Sequence, residues 1–105
     1  MKLVVLESPF AGNIENNLKY ARLCMRDSLM RGEAPIASHL LYTQPGILND
    51  HDPDERALGM LAGFHWNKHA DLVVVYQDYG VTPGMIEGIK IAEHHKIPIE
   101  YRNIL

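Results

Sequence analysis

Four short apolar runs of strand length punctuate the chain, and stretches of helical period lie between them. Leu3-Val4-Val5-Leu6 is continuous and rich in β-branched residues, which suits a central strand covered on both faces. Behind it, Asn13 is placed to cap a helix whose apolar positions Ile14, Leu18, Ala21, Met25 and Leu29 recur every three or four residues, with Gly32 as its stop. "APIAS", residues 34–38, reads as a second strand. Residues 39–52 keep no period and hold a Pro45-Gly46 turn, so a long loop is expected there.

Asp52-Pro53 opens a second helix, as cap and first helical residue, with Leu58, Leu61, Ala62 and His65 or Trp66 on its inner stripe. "ADLVVVY", residues 70–76, is the strongest strand signal. Residues 84–95 form a third helix with Met85, Ile89 and Ala92 inward, and "IPIEY", residues 97–101, closes the chain as a strand. Strands alternating with helices predict one α/β domain over residues 1–105: a small, doubly wound, Rossmann-like parallel sheet of about four strands with helices on both faces.

Bulk properties remove several classes of function. A formal charge of −3 gives no electrostatic footprint for a nucleic-acid backbone, so no nucleic-acid partner is expected. No apolar run reaches the length of a membrane span, and Met1-Lys2-Leu3 leads straight into a strand rather than a signal peptide. The expectation is a cytoplasmic protein. The single cysteine, Cys24, cannot make an internal disulfide. A chain of 105 residues buries a modest core, which leaves room for a partner subunit.

In open parallel sheets, ligands sit beyond the carboxyl ends of the strands. Here those ends carry "ESPFAGN", "SHLLY" and "YQDYGVTPG", which hold most of the Gly, Pro and polar turn residues of the chain. Ser8 either donates to a ligand or closes its own turn. Phe10 stacks on a ring or staples the first helix. Gly12 and Asn13 sit where amides would face an anion, and Asn13 is equally a cap. His39 ends the second strand as a ligand contact or a structural histidine. Tyr76, Asp78 and Tyr79 follow the strongest strand, and Asp78 is either a general acid or base or an Asx turn before Gly80. Thr82, Gly84 and Met85 form the mouth of the third helix, a natural phosphate site. Metal binding is not expected. Asp52 serves better as a cap, Asp54 and Glu55 suit the helix dipole, and His65 and His69 lack a third ligand.

With these loops in view, "SPFAGNIENNLKYAR", "APIASHLLY", "GILNDHDPDERALGMLAGFHW", "ADLVVVYQDYGVTPGM" and "IPIEYR" resemble the nucleoside 2-deoxyribosyltransferase-like superfamily, closest to small phage-type members. The resemblance implies a nucleoside or nucleotide pocket at the strand ends, no separate cofactor, and pockets completed at a dimer interface. It also implies catalytic groups that this chain lacks. The tyrosine near the first strand falls on Val4, the helix carboxylate on Gly63 and the nucleophile on Gly88. Glu87 is adjacent, but one residue is about a 100° turn of the helix. The resemblance therefore implies a binder of a nucleotide-type ligand, as in phage sequestration of a host nucleotide or an ADP-ribose-type signal. The alternatives are an N-glycoside hydrolase or deoxyribosyltransferase using Asp78 or Glu87, and a partner protein with a vestigial pocket. The first two readings expect Ser8, His39 and Asp78 to touch one small molecule.

Overall fold

The apolar runs form the centre of the sheet. In the computed structural model, which describes residues 1–105, the elements are β1 (Leu3–Glu7), α1 (Ile14–Met30), β2 (Ala34–Ile36), α2 (Ser38–Leu41), α3 (Pro53–Asn67), β3 (Leu72–Tyr76), α4 (Pro83–His94) and β4 (Ile99–Arg102). All four strands are parallel, in the order β2-β1-β3-β4. Val5 lies opposite Ile36 on one side and Val73 on the other, which makes β1 an interior strand.

Alternation along β1 and β3 divides the core. Val4, Leu6, Val74 and Tyr76 pack with Tyr20 and Cys24 of α1. Val5, Val73 and Val75 pack with Met85, Ile89 and Ala92 of α4. The sheet is thus covered on both faces, as the unbroken valine run of β3 requires. Each fully buried valine contributes on the order of 1.5–3 kcal/mol. The chain runs from β1 to β2 at one edge and then crosses to β3 on the far side of β1. This places a topological switch point beside the carboxyl end of β1.

Helix ends follow their sequence signals. Asn13 accepts from the Asn16 amide, Asp52 from those of Asp54 and Glu55, and Thr82 from that of Met85. Gly32 takes φ +83° just beyond α1, where the Glu33 amide reaches back to the Ser28 carbonyl.

The inner stripes differ from expectation in two helices. In α1 the buried residues are Asn17, Tyr20, Ala21, Cys24 and Ser28, while Leu29 is 55% exposed. The helix is rotated because its inward polar groups are satisfied: Asn17 donates to the carbonyls of Phe10 and Ala11, and Ser28 donates to Glu33. In α3 the buried residues are Gly63 and Asn67, whereas Leu58, Leu61 and Trp66 are exposed. Small residues face inward there because α2 approaches closely: a Cβ on Gly63 would lie 2.6 Å from Ser38 Oγ. The expected second strand is shorter, ending at Ile36, and the segment read as loop begins with α2, so His39 is helical rather than strand-terminal.

Candidate ligand-binding site

The closely approaching α2, the α3 face and the end of β1 enclose a cavity of about 260 Å³ at the carboxyl end of the sheet. Glu7, Ser8 and Phe10 enter it from the end of β1, and His39 from α2. Phe64, Trp66 and Asn67 line it from α3, and Thr82, Gly84 and Met85 from the start of α4. At the mouth, Trp66 Nε1 donates to Tyr42 OH across 3.0 Å.

Ser8 Oγ and His39 Nε2 are 2.7 Å apart, joining the β1 loop to α2. Burial pulls the His39 imidazole down to about 4, so it is neutral at pH 7. The Phe10 ring meets His39 edge to face, with centroids 6.5 Å apart. Thr43 Oγ1 donates to the His39 carbonyl, fixing the last turn of α2. At α4, Thr82 and Met85 cap reciprocally, and Pro83 has no amide hydrogen. Gly84 therefore carries an amide of the first turn that no intrahelical carbonyl can take.

Glu7 continues the face of Val5, towards α4, by the period-two alternation of a strand. Its carboxyl accepts no hydrogen bond and meets no cation, and burial alone pushes it up to about 8. An ideal Cβ on Gly88 would lie 2.2 Å from Glu7 Oε1 and 2.7 Å from its Cδ. Asn67 is 1% exposed; its Nδ2 donates to the Gly88 carbonyl, and its Oδ1 has no partner. The cavity thus combines aromatic walls, a hydroxyl–imidazole pair, a helix N-terminus and a carboxyl without a protein partner. That set suits a ring bearing hydroxyls or an anionic substituent.

Of the residues proposed from sequence, Ser8, Phe10, His39, Thr82, Gly84 and Met85 line this cavity. The others lie elsewhere, each for a visible reason. Asn13 is spent on its cap, and Gly12, with φ +99°, makes the turn before it. Tyr76 points to the α1 face, where its hydroxyl donates to Asp27 and accepts from Arg102. Asp78 does not converge with Ser8 and His39 on the cavity. Its carboxylate accepts from Tyr20 OH and from the amides of Ile104 and Leu105, tying down the chain terminus. Those bonds hold it below the usual carboxylate range against the opposing effect of burial. Glu87 is exposed and faces Lys90 at 3.9 Å.

Sequence reasoning missed Glu7 and Asn67. Glu7 did carry a signal: an acidic residue closes an otherwise apolar strand, on the same side as Val5. Asn67 carried none beyond ending a helical stretch. The Asp50–Asp54 cluster is engaged locally. Asp50 accepts from Arg56 at 2.9 Å, and Asp52 caps α3.

A four-stranded parallel sheet in the order 2-1-3-4, with its cavity at the switch point, is a small doubly wound α/β fold. The chain superposes on a 2-deoxyribosyltransferase from Bacillus psychrosaccharolyticus with a TM-score of 0.73 at 14% identity, over 96% of this chain and 72% of that one. It also superposes on the CMP N-glycosidase BcmB of Clostridium botulinum, with a TM-score of 0.51 at 15% identity, over 98% of this chain and 88% of that one. By sequence, residues 2–102 match a domain of unknown function, DUF7768, and the chain belongs to that family. No curated protein matches it in sequence. No helix is long and apolar enough to cross a membrane.

Proposed function

We propose that the cavity binds a nucleoside or nucleotide. The observation that carries this reading is the convergence of the Ser8–His39 pair, the α4 N-terminus and aromatic walls on one cavity. The fold likeness to proteins named for nucleoside and nucleotide chemistry supports it. At about 260 Å³ the cavity falls just under the range of roughly 300–1,000 Å³ common for drug-sized ligands. A mononucleoside with at most a short phosphate extension is therefore preferred to an ADP-ribose-type molecule. The phosphate would take the Gly84 amide, and the ring would lie against Phe10 or Phe64. In this reading the protein acts in the cytoplasm. A second copy would cover the exposed Leu58 and Leu61 of α3.

Binding alone would make the chain a sequestering protein, as in a phage holding a host nucleotide. A group acting on the bound molecule would make it a glycosidase. Calorimetric titration and melting curves against a panel of nucleosides and their 5′-phosphates test the binding. The expected result is one-to-one binding with a rise in melting temperature, lost in Ser8→Ala/His39→Ala. Failure of every member of the panel would leave the pocket without this role.

A further inference from the structure

We infer that Glu7 is a general acid that protonates the leaving nitrogen of an N-glycoside held in the cavity; this rests on the reading of the cavity as a nucleoside site. The first ground is room made at a cost. Gly88 lies inside α4 without a positive φ, so its backbone does not need glycine. Glycine there is a much poorer helix former than alanine. What it provides is space, because any Cβ would strike the Glu7 carboxyl. The second ground is the absence of partners. Carboxyls in this protein that serve structure are engaged: Asp78 by Tyr20 and two terminal amides, Glu33 by Arg102 and Ser28. Glu7 has none, and the neighbouring Asn67 Oδ1 has none either. Glu7 and Asn67 both line the cavity, and both meet Gly88.

Burial keeps the carboxyl protonated at neutral pH, the state an acid needs. In the proposed step Glu7 gives its proton to the base nitrogen as the C1′–N bond breaks, and the bonding pair leaves with the base. Water adds to C1′ and surrenders a proton, which restores the Glu7 carboxyl. The products are free base and free sugar.

The test incubates the full chain with ribonucleosides, deoxyribonucleosides and their 5′-monophosphates, measuring free base by chromatography and binding by calorimetry. Base release from at least one of them is expected, slowed about 100-fold or more in Glu7→Gln with binding retained. The wild-type rate should fall as pH rises past about 8. Gly88→Ala, which displaces the carboxyl without removing it, should also slow release while the protein stays folded. Binding without any release overturns the acid and leaves the binding reading intact. Neither binding nor release overturns both. Release that survives Glu7→Gln, or a rate that rises through pH 8, overturns the role of Glu7.

Discussion

Two polar clusters lie against the same small sheet, and they are built in opposite ways. On the α1 side, Arg102 is 5% exposed and donates to both carboxylate oxygens of Glu33, at 2.8 and 2.7 Å, to Tyr76 OH at 3.0 Å, and to Glu100. Tyr76 OH in turn donates to Asp27, and Ser28 donates to Glu33. The Arg102 hydrogen bonds hold Glu33 below the usual carboxylate range. On the α4 side, Glu7 is left alone and driven upward by burial, and Asn67 Oδ1 is orphaned. The first cluster closes on itself and leaves no capacity for a ligand. The second leaves its capacity open, beside a cavity. A carboxyl that lines a cavity with no protein partner is the better pointer to function.

The largest expected effect comes from breaking the closed cluster. Arg102→Leu strands the Glu33 carboxylate and should cost about 3–5 kcal/mol, read as a melting temperature lower by more than about 10 °C. Glu33→Gln should cost less, because Arg102 keeps Glu100 and Tyr76 as partners. Ligand binding at the cavity should survive either change in the protein that remains folded.

The open cluster has a pH signature instead. Glu7 goes from the ordinary 4.5 up to about 8 on folding, so its stabilising effect is complete below 4.5 and lost as pH rises to 8. His39 goes from 6.5 down to about 4, so its effect is complete above 6.5 and lost as pH falls towards 4. Between about 4.5 and 6.5 the two slopes oppose each other and nearly cancel. From 6.5 to 8 Glu7 acts alone, and unfolding free energy should fall by about 2 kcal/mol. Denaturant titrations across pH check this. Glu7→Gln should flatten the upper window, and His39→Gln should let the fall begin near 4.5.

A smaller effect isolates the contact between β1 and α4. Gly88→Ala should destabilise by about 1–3 kcal/mol through the clash with Glu7. In a Glu7→Ala background the same change should be neutral or stabilising, since alanine is the better helix former. Smallest of all, Tyr42→Phe removes one exposed hydrogen bond from Trp66 and should change stability by no more than about 0.5 kcal/mol. Its effect belongs in the ligand off-rate, because that bond spans the cavity mouth.

Much of the fold was legible along the chain. Apolar runs identified the strands, and Asn13, Asp52-Pro53 and Thr82 marked the helix starts, because these signals are local. The inward faces of α1 and α3 were not legible, since they depend on partners far away in sequence. Asn17 is buried because it holds the β1 loop, and Gly63 because Ser38 leaves no room. The site divides in the same way. The strand-end rule led to Ser8, His39 and the α4 mouth, but it also led to Tyr76 and Asp78, which the sheet and the chain terminus engage elsewhere. The relation between Glu7 and Gly88 links residues of different elements and exists only in three dimensions.

The claim that the open cluster is the working end of the molecule can be tested by mapping backbone amide shifts. Isotope-labelled protein would be titrated with whichever nucleoside or nucleotide raises its melting temperature most. Saturable shifts should concentrate at Ser8, His39, Asn67, Gly84 and Met85, and spare Asp78 and Arg102. Shifts centred on Asp78 or Arg102, with the cavity residues unmoved, would contradict the account.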